Sequence, residues 1–139
     1  MAIQENKDLI HRFVEEIYNQ KNLDNYSDFV GEEILEQGID HMQQFFTAFP
    51  DSQTTVLDIF GEGEKVVARL LVQGTNKGAF AGQPPTGKKV EFVSIRIYRV
   101  GENKIIESWA MQDQLGLMQQ LGFVRTVGDV NWATEVEED

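Results

Sequence analysis

Apolar residues near the start of the chain recur at helical spacing. Within residues 6–20, Leu9, Ile10, Phe13, Val14, Ile17 and Tyr18 fall at intervals of one, three and four, while Lys7, Asp8, His11, Arg12, Glu15 and Glu16 occupy the other side. At about 3.6 residues per turn this makes one buried stripe and one solvated stripe, so the spacing predicts an amphipathic helix. Asn22-Leu23-Asp24 closes it and opens a short second helix through Tyr26 to Val30. A third is predicted over residues 38–47, with Ile39, Met42, Phe45, Phe46 and Phe49 on its apolar side, until Pro50-Asp51 stops it. Residues 31–37, between the two, are acidic and carry no clear period.

From Ser52 the pattern becomes alternating and β-branched. Residues 53–60 and 65–75 read as strands joined by the turn Gly61-Glu62-Gly63-Glu64, which predicts a hairpin. The segment 78–87 is a loop, because Pro84-Pro85 removes two ladder donors. Residues 88–100 and 105–113 are the next two strands, joined by a tight turn at 101–104, and 114–122 has helical character. Helices first and an antiparallel meander afterwards define an α+β domain. One sheet face must be covered, so the expected form is a strongly curved, mostly antiparallel sheet wrapped on its N-terminal helices, a cone with a ligand pocket at its mouth. Residues 1–124 form this single domain; 125–139 are an acidic, partly mobile tail that Trp132 would dock.

The formal net charge is −11, and the tail holds five acids and one base, leaving about −7 on the body. That field repels phosphate, so nucleic acid and anionic membrane are not expected partners. With no cysteine, disulfide frameworks and thiolate chemistry are closed. No basic-then-apolar leader and no membrane-spanning run appears, and the expected location is cytoplasmic.

The candidate chemistry sits where the last strand meets the last helix, in Trp109-Ala110-Met111-Gln112-Asp113. Alternation puts Trp109, Met111 and Asp113 on one strand face. A carboxylate in an apolar hollow has a raised pKa and can accept a proton; the competing structural role for Asp113 is to cap the helix beginning at Gln114, which would lower it. If Val100 lies opposite Ile105, Arg96 faces Trp109 and shares Asp113's side, where it is a candidate pocket cation; the alternative is an exposed or interface position, and a single bulge would reverse the parity. On the neighbouring strand, Arg69, Gln73 and Thr75 alternate with Ala68, Leu70 and Val72, and either set could face the hollow. Lys88 and Lys89 read as a solvated strand entrance. Most of Phe13, Tyr18, Phe45, Phe46, Phe49, Phe80 and Phe92 are core residues, with two or three, Phe13, Tyr18 and Phe46 among them, available to line a pocket for a flat ligand.

The opening helix with Asn19-Gln20-Lys21-Asn22-Leu23-Asp24, the loop Gly82-Gln83-Pro84-Pro85-Thr86-Gly87-Lys88, and Trp109 through Asp113-Gln114-Leu115-Gly116-Leu117 to Gln120-Leu121-Gly122 are the stretches that carry a family likeness. Across residues 5–122 the chain resembles the SnoaL-like polyketide cyclases, or ester cyclases, of the nuclear-transport-factor-like superfamily with its cystatin-like α+β barrel. By that resemblance Asp113 matches the aspartate that acts as acid and base in an intramolecular aldol closure, with no metal or cofactor. The likeness also departs in places: Asn76 and Ser108 stand where relatives carry histidines, and 31–37 is too short for a segment bearing an aspartate-histidine pair. Neither His11, on the polar face of the first helix, nor His41, off the apolar stripe of the third, is expected to compensate.

The expectation is thus a protein that binds an apolar, carbonyl-bearing small molecule. Asp113 is its acid/base, and Trp109, Met111, Arg96, Asn76, Phe13, Tyr18 and Phe46 surround the ligand. The alternatives are a non-catalytic binding module and a dimeric interaction module. A homodimer through the outer sheet face is expected in each case.

Overall fold

The computed structural model describes residues 2–124; the expectations for the acidic tail and for Trp132 lie outside the described residues. Helix α1 (Ala2–Phe13) buries Leu9, Ile10 and Phe13 and runs on through a wider π turn, Val14–Asn19, that buries Val14, Ile17 and Tyr18. The predicted stripe is the buried stripe. Helix α2 (Tyr26–Phe29) is a single turn, and α3 (Leu35–Ala48) begins earlier than the apolar pattern indicates, taking in the unassigned stretch from Leu35. Four strands follow in the order β1 (Gln53–Glu62), β2 (Lys65–Thr75), β3 (Lys89–Gly101) and β4 (Lys104–Gln112), an open antiparallel meander. Helix α4 (Gln114–Leu121) closes the described chain. The fold is α+β, as the order of periods predicted.

The inner face of β2 and β3 is Val66, Ala68, Leu70 and Val72 beside Val90, Phe92, Ser94, Tyr98 and Val100, all buried. Two apolar clusters cover it. The larger joins α1, α2, Met42 of α3 and the end of the sheet around Tyr98 and Ile105. The smaller holds Ala48 and Phe49 with Val72, Val90 and Phe92 beneath Leu117 and Leu121 of α4. Gln120 clamps α4 to β3: its amide donates to the Glu91 carbonyl (2.7 Å) and accepts from the Glu91 N–H (2.8 Å), as a neighbouring strand would.

Register decides which side chains look inward. The β3–β4 turn pairs Val100 with Ile105, as expected, but Arg99 pairs with Glu107, leaving Ile106 as an extra residue. That bulge shifts every later partner by one, so Arg96 faces Ala110, Ser94 faces Gln112 and Ile97 faces Trp109. Ile106 fills space over two glycines: a Cβ on Gly31 or Gly101 would meet its side chain at 3.2 or 2.7 Å. A second bulge lies in β1 between Val56 and Asp58. Among the described residues no helix is long and apolar enough to cross a membrane.

Candidate active site

A cavity of about 700 Å³ opens where the two apolar clusters meet. Its apolar wall includes Met42, Phe45, Leu70, Val72, Phe80, Phe92 and Leu117. Its polar groups include Tyr18 from the π turn, His41 and Gln44 from α3, Thr54, Ser94 and Arg96 from the sheet, and Gln112 and Gln114 from the β4–α4 junction. Among the described residues lining it there is no carboxylate.

Three expected ligand contacts meet here: Arg96, Tyr18 and Phe46. Arg96 stands over the Tyr18 ring, 6.0 Å from its centroid. Tyr18 and Tyr98 share a buried hydrogen bond of 3.2 Å between their hydroxyls. Proximity to Tyr18 first, and to Tyr98 and Tyr26 further on, raises the arginine's pKa against the opposing effect of burial. Burial, with Tyr18 second, pushes Tyr98 well up and Tyr26 up to about 12, so both phenols stay protonated at neutral pH. Among the described residues no carboxylate lies within ion-pairing distance of Arg96; the ion pairs are Arg69 with Asp58 and Arg99 with Glu107. Its guanidinium donates one long bond, 3.4 Å, to the Ser108 hydroxyl. A guanidinium has five N–H donors, so most of its capacity remains open. Two residues along β3, the Ser94 hydroxyl is buried without a partner. A cation short of acceptors and an unpartnered hydroxyl on one cavity wall together suit a ligand oxygen, especially one that gains negative charge.

The other expected contacts lie elsewhere. Phe13 is 3 % exposed in the core, its ring edge-on to Tyr18 at 5.1 Å and packed on Tyr26, Phe29 and Tyr98, so it supports the cavity wall from behind. Asn76 is fully buried and serves the loop: its amide donates to the Gly78 carbonyl (2.8 Å), and its oxygen accepts from the Thr86 N–H (2.8 Å) and hydroxyl (3.1 Å). That network holds Gly82, Phe80 and their neighbours against the cavity mouth.

The expected inward trio of Trp109, Met111 and Asp113 requires correction. The bulge at Ile106 puts Trp109 and Met111 on the outer face, 45 % and 80 % exposed. Asp113 is exposed at the start of α4, where its carboxylate accepts the Gly116 N–H at 2.9 Å. Its neighbours Gln112 and Gln114, bonded to each other at 2.8 Å, line the cavity instead.

His41 was missed by the sequence reading. It shares one side of α3 with Phe45, four residues on, and both line the cavity. His41 is nonetheless an exposed residue, as expected for a histidine off the apolar stripe, so it stands at the rim of the cavity. Loss of solvation, and secondarily the charge of Arg96, holds its pKa below the ordinary 6.5. The spacing to Phe45 was the available signal.

A family model for the SnoaL-like polyketide cyclases matches residues 8–121. Aklanonic acid methyl ester cyclase DnrD of Streptomyces peucetius is 29% identical over 130 residues, 83% of this chain and 89% of DnrD. Among solved structures, AclR of Streptomyces galilaeus, a proposed hydroxylase, superposes with a TM-score of 0.84 at 24% identity, over 98% of this chain and 96% of AclR. A proposed SnoaL-like polyketide cyclase from Jannaschia sp. CCS1 gives 0.81 at 21% identity, over 86% of this chain and 93% of its own.

Proposed function

Because the chain belongs to the SnoaL-like polyketide cyclase family, we propose that it binds an apolar, carbonyl-bearing small molecule in the cavity and cyclises or isomerises it without a cofactor. The observation that carries this reading is the Arg96 guanidinium, without a carboxylate partner among the described residues, in a mostly apolar hollow beside the unpartnered Ser94 hydroxyl. Removing a proton alpha to a carbonyl moves the C–H electron pair onto oxygen, and a fixed cation stabilises that enolate more than the neutral ketone. Only such differential stabilisation accelerates the step. The enolate carbon then adds to a second carbonyl of the same molecule, and the alkoxide formed takes back one proton. The sum is an isomerisation, with atoms and electrons balanced. Tyr18 and Phe46 offer flat apolar contact to a ring system, an arrangement that suits a polycyclic ketone.

The outer sheet face supports a second copy of this chain as partner. Phe60, Val67, Ile97 and Trp109 are consecutive cross-strand neighbours across all four strands, with Ile95 and Met111 in the next row. Phe60, Ile95, Ile97, Trp109 and Met111 are all exposed, and a contiguous apolar row of this kind is what an interaction surface leaves open. A cytoplasmic location fits the cysteine-free sequence.

The test is a thermal-shift panel of polycyclic aromatic ketones with the whole chain, followed by product analysis for ligands that bind. A ligand at one hundred times its Kd should stabilise the protein by about 2.7 kcal/mol. Arg96→Met, which keeps the apolar stem, should lose most of that shift. A panel without shifts would refute the reading. Binding with no turnover of any ligand would identify a non-catalytic binding module, the alternative that the carboxylate-free cavity favours.

A further inference from the structure

The aldol chemistry proposed above needs a proton acceptor, and among the described residues the cavity wall has no acid. Among the described residues lining it, the side chains that titrate are Tyr18, His41 and Arg96. An arginine is always charged and a phenol holds its proton at neutral pH. We propose that His41 is the group that takes the ligand's alpha proton and returns it, a role that rests on the cavity being the ligand site.

Geometry supports this first. His41 and Phe45 project from the same side of α3 into the cavity, while Arg96 and Ser94 occupy the sheet wall of the same space. A flat ligand between helix and sheet would meet the imidazole on one side and the oxygen-binding groups on the other. Electrostatics fits the same assignment. Loss of solvation first, then Arg96, depresses the imidazole pKa, so at neutral pH its free lone pair is available. The charge that weakens the imidazole as a base also stabilises the enolate oxygen, so it lowers the cost of forming the enolate as it lowers the affinity of the base for the proton. Once protonated, an imidazolium near Arg96 gives its proton back readily to the alkoxide. The charged or titratable groups that share its surroundings are Arg96 on β3 and Tyr18 in the π turn after α1, with Tyr98 and Tyr26 behind them. Asp40 adjoins it on its own helix and is exposed.

The test reads proton abstraction without requiring the natural ligand. 1-Tetralone, a bicyclic aryl ketone, is incubated with the whole protein in D2O, and deuterium entering the carbon alpha to its carbonyl is followed by NMR. Probe binding is followed in parallel by shifts of its ring protons. Wild type should bind and accelerate exchange, and the rate should fall as pH drops below 6.5, the usual histidine value. His41→Gln should bind the probe and lose on the order of 100-fold in rate. His41→Ala should regain exchange with added imidazole. His11→Gln, altered on the solvated face of α1, should match wild type. Full-rate exchange by His41→Gln, or a loss found only in Asp113→Asn with a midpoint in the carboxylate range, would overturn the assignment. So would a wild type that binds without exchanging, although the cavity would then remain a binding site. A wild type that binds neither tetralone nor any of the ketone panel would remove the ligand-site reading, and His41's role with it.

Discussion

Replacing Asp113 by serine and by alanine separates its two conceivable roles, because serine keeps a capping oxygen and discards the acid while alanine discards both. In the structure the carboxylate satisfies one backbone donor at the start of an eight-residue helix, Gly116 N–H at 2.9 Å. Loss of such a cap typically costs about 1 kcal/mol, and an exposed negative charge at a helix N-terminus adds about 0.3–1 kcal/mol. An eight-residue helix has little stability of its own, so the loss should be felt where Leu117 and Leu121 hold α4 on Val90 and Phe92. Asp113→Ala should therefore be about 1–2 kcal/mol less stable than wild type. For a domain of this size that corresponds to a Tm lower by roughly 3–6 °C. Asp113→Ser should recover most of the difference, since serine caps about as well as aspartate. Urea and thermal unfolding measure the stability, and tetralone exchange measures the chemistry, in which the serine variant should match wild type. The reasoning fails if alanine is as stable as aspartate. It also fails if the serine variant is fully stable yet inert, since the carboxylate would then be the working acid.

Two further outcomes follow from the same geometry. Asp51 accepts from the Thr75 hydroxyl and the Thr75 N–H, both at 2.7 Å, and the hydroxyl first and the N–H second hold its pKa below the ordinary 3.8. Its folded-state value is depressed, so its contribution is fully present above 3.8 and is lost as pH falls toward the folded value; Asp51→Asn should flatten the stability profile in that acid window, as read by urea unfolding at stepped pH. Trp109→Glu should convert a sheet-face dimer to monomer, measured by analytical ultracentrifugation, without changing the cavity, because Trp109 lies on the opposite side of the sheet; a wild type that sediments as a monomer would refute the dimer.

Much of this architecture is written in short-range pattern. The intervals from Leu9 to Tyr18 are enough to define the buried face of α1, since helical geometry repeats within a few residues and needs no partner to set it. The same holds for the β1–β2 hairpin, although β1 runs to Glu62 and its turn is tighter than the glycine pattern indicates. Tyr18 and Phe46 were legible as cavity residues from aromatic content near the mouth. Arg96 reached the cavity although the strand partner expected for it was displaced by one residue. Asn76 read as a ligand contact because it stands where relatives carry a histidine, and the sequence gives no local sign of what its amide meets; here the Gly78 and Thr86 backbone takes it.

The sequence alone therefore determined the element types, their order and the α+β class, because periodicities of 3.6 and 2 are local properties of the chain. Only the tertiary structure decided which face of β4 looks inward. Parity accumulates along a strand, so one extra residue at Ile106, seated over Gly31 and Gly101, turned Trp109 and Met111 outward and left Asp113 to a backbone amide. Tertiary packing likewise brought His41 to the cavity that Arg96 lines. The two are far apart in sequence, and only the packing of α3 against the sheet puts them in one space.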